Sequence, residues 1–286
     1  SADKKTATML HLKDKTEIVL GKDDFVLITN GSITESSDNG TWDTPAKLKG
    51  IEESGSWKLW KKLSTKDKAF GNPDPFCDNI SLQKWYSFTV TYKDSTFHDY
   101  MENFSGNVDG TGGLVTLTDS NWLMSFVIAR QPHFPNQPDD VKIFWGYGLY
   151  PDRKGNYIDK TMAECTGAEM LEELYYHLKI QDIMKPVTAA GKANCIPVAM
   201  PFIDSLFMPR KIGDRPKVIP EGATNFAFLG QFAEAPKDCV FTVEYSVRTA
   251  QMAVYGLFDT GKKVHPMYNS AHNPKYLLAA LKAIGR

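Results

Sequence analysis

The sequence has no apolar run of about 18 residues, so nothing in it reads as a membrane-spanning helix, and no stretch reads as a signal peptide. Cysteine is scarce. Cys77, Cys165, Cys195 and Cys239 lie far apart with no C-x-x-C, a spacing that suits reduced thiols of a cytoplasmic protein better than a disulfide frame or a zinc site. Neither sign of charge dominates: 33 Lys and Arg against 34 Asp and Glu leave a net charge of −1. No overall field draws the chain to nucleic acid or to an anionic membrane. Internal repeats and low-complexity segments are absent. So is a strand–GxGxxG–helix unit: Gly106, Gly110, Gly112 and Gly113 fall in a turn before a strand. What is present is a globular composition, 42% hydrophobic and 12% aromatic over 286 residues, enough for one large domain or two small ones.

Local signals give a mixture of strands and helices. Residues 8–12 and 17–20 read as a hairpin turning at Asp14-Lys15, marginal by itself, so the chain is expected to open in the middle of a domain. Phe25 to Ile28 is short and continuously apolar, as in a strand buried on both faces, and it runs into the turn residues Asn30-Gly31-Ser32. Residues 88–92, 114–117, 122–129 and 142–149 read as strands, as does a buried run at 225–230. A strand over 194–203 contains Pro197, which argues for an edge or a bulge. Helices are expected over 56–63, from a Ser95 cap to Phe104 with Gly106 as the stop, over 242–258 and over 274–284. The strongest helix signal is Thr166-Gly-Ala-Glu169, a capping box that opens the stripe Met170, Leu171, Leu174, Tyr175 and Leu178. Glu169, Glu172 and Glu173 are expected on its solvated face.

Several groups have two readings. Asn30-Gly31-Ser32 is an ordinary turn or a set of backbone donors at the carboxyl edge of a sheet, where α/β folds bind ligands. Gln231-Phe232 and Thr242-Val243-Glu244-Tyr245 form a loop and a helix start, whose free N–H groups suit an electron-rich ligand; Glu244 is equally a dipole-favoured acid. Arg130 and His133 are loop residues or anion contacts. Phe126, Phe134, Trp145, Tyr147 and Tyr150 are core, or the walls of an apolar tunnel. The last helix, apolar with Lys275, Lys282 and Arg286 around it, docks on its own domain or lies on a membrane surface. Its shortness favours docking.

Six segments, in one order along the chain, resemble the FAD-dependent oleate hydratases, also called myosin-cross-reactive antigens. They are Phe144-Trp-Gly-Tyr-Gly-Leu149, Met162-Ala-Glu-Cys-Thr-Gly167, residues 225–234, residues 241–251, and Leu27 to Ser32 with Arg130-Gln-Pro-His133. The resemblance implies the C-terminal half of a longer flavoprotein, of α/β to α+β fold. It implies part of a Rossmann-type FAD domain (1–31 and 219–258), a substrate domain with a mixed or antiparallel sheet (32–218), and a C-terminal helical segment (259–286). It implies FAD at Asn30, Gly31, Ser32, Gln231, Phe232, Thr242, Val243, Glu244 and Tyr245. It also implies an unsaturated fatty acid near Arg130 and His133, no catalytic residue and no metal in this half, and a homodimer in the cytoplasm with peripheral membrane contact. The implied reaction adds water across a cis double bond. A lipid-acting flavin oxidoreductase and a non-catalytic lipid-binding fragment are the alternatives. The family pattern has Thr and Asn just before Arg-Gln-Pro; here Val127 and Ala129 stand there, which removes two hydrogen-bond donors.

Overall fold

The computed structural model describes residues 1–267, 270 and 273–285. In chain order the strands are β1 (Met9–His11), β2 (Glu17–Val19), β3 (Val26–Thr29), β4 (Asp38–Asn39), β5 (Trp85–Tyr92), β6 (Val115–Thr116), β7 (Met124–Val127), β8 (Lys142–Gly148), β9 (Ala193–Met200) and β10 (Phe226–Leu229). The helices are α1 (Gly55–Ser64), α2 (Asp74–Cys77), α3 (Ile80–Gln83), α4 (Thr96–Ser105), α5 (Gly167–Leu178), α6 (Gln181–Ala189), α7 (Val243–Leu257) and α8 (Pro274–Ile284). The architecture is mixed α/β, with a parallel strand pair in one compact unit and an antiparallel sheet in another.

The first unit contains Ser1–Gly31, Leu59–Pro73 and the chain from Lys211 onward. It therefore includes 59–73 and 211–218, which the sequence reading had put in the substrate domain. β1 and β2 form the expected hairpin. β3 and β10 pair in parallel, from Val26↔Phe226 to Thr29↔Leu229. The Asn225 side chain ties the start of this pair together: its amide oxygen accepts from the Ala7 N–H at 2.8 Å, and its NH₂ donates to the carbonyls of Ala7 and Asp24 at 2.8 and 3.2 Å. Phe70, Phe226, Phe228, Val218 and Ala253 fill the core beneath it. β3 is not buried on both faces as expected. Val26 and Ile28 pack on the core, whereas Phe25 and Leu27 are 37% and 45% exposed, because among the described residues one face alone is covered. An apolar run this short cannot distinguish one buried face from two.

The second unit, Ser32–Lys58 and Asp74–Arg210, is built on a six-stranded antiparallel sheet of order β4-β9-β5-β8-β7-β6. Its inner face buries Phe88, Val90, Tyr92, Phe126 and Phe144 against α4 and α5, with Phe97 stacked on Phe144 at 4.6 Å. Gly146 is required there: a Cβ would come within 2.5 Å of the Phe88 ring. Pro197 lies on neither an outermost strand nor a bulge. β9 has neighbours on both sides, but the Pro197 carbonyl accepts from Gly40 N–H at 2.8 Å just beyond the two-residue β4. Carbonyl and amide of one strand residue point the same way, so the missing N–H faces the side where pairing ends.

The capping box at Thr166 forms as expected. One acid on α5 departs from its solvated assignment: Glu173 is fully buried, and its carboxylate accepts from the N–H groups of Asn156, Tyr157 and Ile158 at 2.6, 3.0 and 2.8 Å. These partners come from a loop that sequence spacing does not connect to the helix. α6 was not anticipated, since Pro186 lies inside it. α8 does not dock: none of its described side chains is buried, and Leu277, Leu278 and Leu281 are each more than half exposed. Arg286, expected beside it, lies outside the described residues.

Candidate functional site

The carboxyl edge of the β3–β10 pair gathers the first group of candidate residues. Asn30 and Gly31 follow the end of β3, and Gly230 follows the end of β10; both glycines have left-handed backbones, with φ of 58° and 80°. Such turns need glycine, and they turn the chain away sharply while leaving peptide groups at the strand ends. Asn30 is 1% exposed, yet neither its amide nitrogen nor its amide oxygen has a hydrogen-bond partner. A doubly orphaned buried amide calls for an explanation, because leaving each such group unpaired costs about 1–3 kcal/mol. Ser32 is separated from these two. It belongs to the second unit, where its carbonyl accepts from the Trp57 indole N–H at 3.1 Å.

α7 holds the loop after β10 by three side chains on one side of the helix. Tyr245 is buried; its hydroxyl donates to the Ala233 carbonyl at 2.6 Å and accepts from the Ala235 N–H at 3.0 Å. Arg248 donates to the Asp238 carboxylate at 2.6 Å and also reaches the His265 carbonyl. Thr249 accepts from the Gly230 N–H at 3.0 Å. Spacing of three and four residues puts these groups on one side of the helix. Tyr245 is thus a brace with no open surface, and Phe232, also buried, packs its ring 5.7 Å from Trp60. Gln231 and Thr242 are half-buried, whereas Val243 is 78% exposed and Glu244 is exposed. The Thr242 hydroxyl bonds back to the Cys239 carbonyl, so no side chain caps α7 and its first N–H groups remain available.

The second unit carries the other candidates. Arg130 and His133 are exposed on a loop beginning at the end of β7. Gln131 and Gln137 brace it: the Gln131 amide donates to the carbonyls of Ala129 and Ile143 at 2.9 and 2.8 Å, and Gln137 donates to the Gln131 oxygen at 2.8 Å. The Gln131–Pro132 peptide is cis. Gly110 lies so close that a Cβ would meet Arg130 at 2.6 Å. The aromatic residues of this region divide. Phe126 is core, while Trp145, Tyr147 and Tyr150 are at least partly exposed and Phe134 is exposed. Alternation along β8 explains this, since Phe144 faces inward and Trp145 and Tyr147 outward. Trp145 and Tyr147 stack at 5.7 Å, and Tyr147 meets Trp85 at 4.6 Å, giving an aromatic row on the sheet's outer face. Trp85, Arg153 and Asp204, which line a cavity at one end of this row, carry no sequence signal: three separate segments supply them.

Burial raises the phenol and thiol groups of the inner core. The Tyr92 and Tyr175 hydroxyls bond each other at 2.8 Å, and burial pushes Tyr175 up to about 12 and Tyr92 well upward. Burial also pushes the Cys165 thiol up to about 12. The four cysteines are unpaired, and among the described residues no cluster of His, Cys, Asp and Glu could hold a metal ion. No described helix is long and apolar enough to cross a membrane.

Comparison with known proteins agrees with the segments that carried the resemblance. Residues 1–255 match the MCRA family. The chain is 44% identical over 293 aligned positions to the oleate hydratase of Streptococcus pyogenes serotype M49 (strain NZ131), covering 98% of this chain and 49% of that protein. It is 34% identical to the linoleate hydratase of Lactiplantibacillus plantarum, covering 96% of this chain and 51% of that protein. The chain therefore spans about half the length of the curated relatives it matches. With the family matched over 1–255 and the quoted segments in their order, the chain belongs to the MCRA family.

Proposed function

We propose that this chain is the C-terminal part of a fatty acid hydratase, which adds water across the cis double bond of an unsaturated fatty acid such as oleate to give a hydroxy fatty acid. The observation that carries this reading is 44% identity to an oleate hydratase along nearly the whole chain. The residues that activate and deliver water belong, in this reading, to the half of the enzyme that the chain does not span.

FAD is the cofactor of this reading. Asn30, with an unpaired donor and an unpaired acceptor at the sheet edge, suits a heterocycle that presents both. Gly31 and Gly230 would allow close backbone approach, and the uncapped start of α7 at Thr242, Val243 and Glu244 would lie toward the electron-rich part of the ring. Gln231 and the Phe232 backbone would contribute from the loop, and Tyr245 by holding that loop. Hydration involves no net redox change, so the bound flavin supplies organisation and charge stabilisation. Arg130 and His133 would meet the fatty acid carboxylate, with Trp145 and Tyr147 along the hydrocarbon chain. The intact enzyme is read as a cytoplasmic homodimer that touches membranes peripherally, with the exposed apolar α8 as the contact.

Expression of this chain alone and together with the N-terminal half of the enzyme tests the reading. Oleate should be hydrated by the pair and left unchanged by the chain alone. Failure of the pair on both oleate and linoleate would overturn it.

A further inference from the structure

His98 lies in the first turn of α4, against the inner face of the second unit's sheet, and takes no part in the site described above. It is 3% exposed, and neither ring nitrogen makes a hydrogen bond. Aromatic rings surround it instead: Phe97, Phe144 and Tyr92, with centroids at 5.9, 6.3 and 6.5 Å. Native proteins leave few buried polar groups unpaired, since each costs about 1–3 kcal/mol. Burial penalises the charged form of this imidazole and holds it below the ordinary histidine value of 6.5.

The groups that act on His98 belong to the frame of the Arg130–His133 loop. The backbone group near the ring is that of Ile143, at the start of β8. The Ile143 carbonyl already accepts from the Gln131 amide at 2.8 Å, and the Ile143 N–H donates to the Gln131 oxygen at 3.2 Å. The Gln131 side chain thus stands in for a strand neighbour beyond the end of β7. Of the charged groups, Asp109 and Asp99 favour a protonated His98 and Lys142 opposes it. Asp109 precedes Gly110, whose N–H donates to the Ile128 carbonyl at 3.1 Å and which packs against the Arg130 backbone. Asp99 is exposed and accepts from the Ser95 hydroxyl at 2.7 Å. The Tyr92 hydroxyl is committed to Tyr175, and the charged residues of α6, which also packs on α4, are the exposed Asp182 and Lys185. Two supports of the loop, the Ile143 peptide beside Gln131 and the Asp109–Gly110 turn against Arg130, therefore meet at one uncharged imidazole.

We propose that His98 is a positioning residue for the Arg130–His133 loop, acting through its own protonation. Neutral, it leaves the Ile143 carbonyl to Gln131, and the loop is braced. Protonated, it is a donor at both nitrogens; it competes with Gln131 for that carbonyl and draws Asp109, with Gly110, away from Arg130. A released imidazole takes up its proton before a buried one as pH falls. The braced loop is therefore fully held above the ordinary histidine value and is lost as pH drops from there through the lower value of the buried ring. The consequence for a fatty acid carboxylate rests on the hydratase reading of Arg130 and His133; the coupling of His98 to the loop does not.

The test uses NMR of the ¹⁵N-labelled 286-residue chain. The His98 ring nitrogens report its protonation between about pH 8 and 5. Amide-exchange protection, corrected for the intrinsic pH dependence of exchange, is read at Ile143, His133 and Phe134, whose N–H groups bond to Gln131 and Gln137. Protection should fall about tenfold in step with protonation of His98. His98→Phe, which keeps an aromatic ring in the core, should hold it constant over the same range. Asp109→Asn, at a half-buried turn, removes a group that favours the charged ring and should move the step to lower pH, a result that does not depend on His98→Phe folding. No fall in the wild type, the same fall in His98→Phe, or an unmoved step in Asp109→Asn would overturn the proposal. In the intact enzyme at the low end of this range, KM for oleate should be several-fold higher in the wild type than in His98→Phe, with kcat less affected. A loop that responds as described while KM does not would remove the carboxylate from Arg130 and His133 and leave the His98 coupling standing.

Discussion

Val127 lies directly across from Trp145 in the β7–β8 register. The pair is on the outer face of the sheet, opposite the core face that holds Phe126 and Phe144. A side chain at position 127 thus enters a partly open aromatic surface, where a polar substitution is tolerated by the fold. In the intact enzyme, Val127→Thr with Ala129→Asn should tighten binding of the free acid by up to about 1.5–3 kcal/mol for each new bond to the carboxylate, with a smaller gain for the methyl ester. Isotherms for acid and ester decide it. An unchanged acid-to-ester preference would detach Arg130 and His133 from the headgroup.

Tyr245→Phe removes one hydroxyl that serves two loop peptides, Ala233 and Ala235, both held at hydrogen-bond distance in a buried setting. The expected loss of stability is about 1–3 kcal/mol, read from denaturant unfolding of the chain. A midpoint equal to the wild type would show that α7 does not depend on this brace.

Glu35 sets a pH dependence. Burial works to raise its carboxyl, but hydrogen bonds from Ser56, Ser54 and Gly55 outweigh this and hold it below its ordinary value of 4.5. The unfolded chain therefore takes up its proton first as pH falls, so the stabilisation is complete above the ordinary value and is lost as pH drops through the lower folded one. Glu35→Gln should cost about 1 kcal/mol or somewhat more at neutral pH, and the difference from wild type should shrink below about pH 4.5. A difference constant across that range would contradict the assignment.

How much of this was legible in the sequence depends on the range of the interaction. The Thr166 capping box, the Gly106 stop and the β1–β2 hairpin are local, and all three formed as read. Glu173 was misplaced because its partners, Asn156 to Ile158, come from a separate loop. Phe25 and Leu27 were misplaced because burial of a strand face depends on what covers it. The docking expected of α8 failed for the same reason. The family segments brought Asn30 and Gly31 together with Gly230, whereas the cavity at Trp85, Arg153 and Asp204 needed three distant segments and had no motif.

Glu244 and Glu172 provide a matched pair of acids. Both are exposed, one in the first turn of α7 and one in the middle of α5. In the intact enzyme, Glu244→Ala should weaken flavin retention or hydration at least severalfold, whereas Glu172→Ala should stay close to wild type, within about 0.5 kcal/mol. Flavin absorbance after gel filtration measures the first effect. Equal behaviour of the two variants would contradict the placement of the cofactor at the start of α7.

The most direct test follows the oxygen atom. The intact enzyme, containing this chain and its N-terminal half, is incubated with oleate in H₂¹⁸O under anaerobic conditions, and the products are analysed by mass spectrometry. The account predicts a hydroxy fatty acid carrying one ¹⁸O, with the flavin in the same oxidation state before and after turnover. A desaturated product with bleached flavin, or no product from any unsaturated fatty acid, would contradict it.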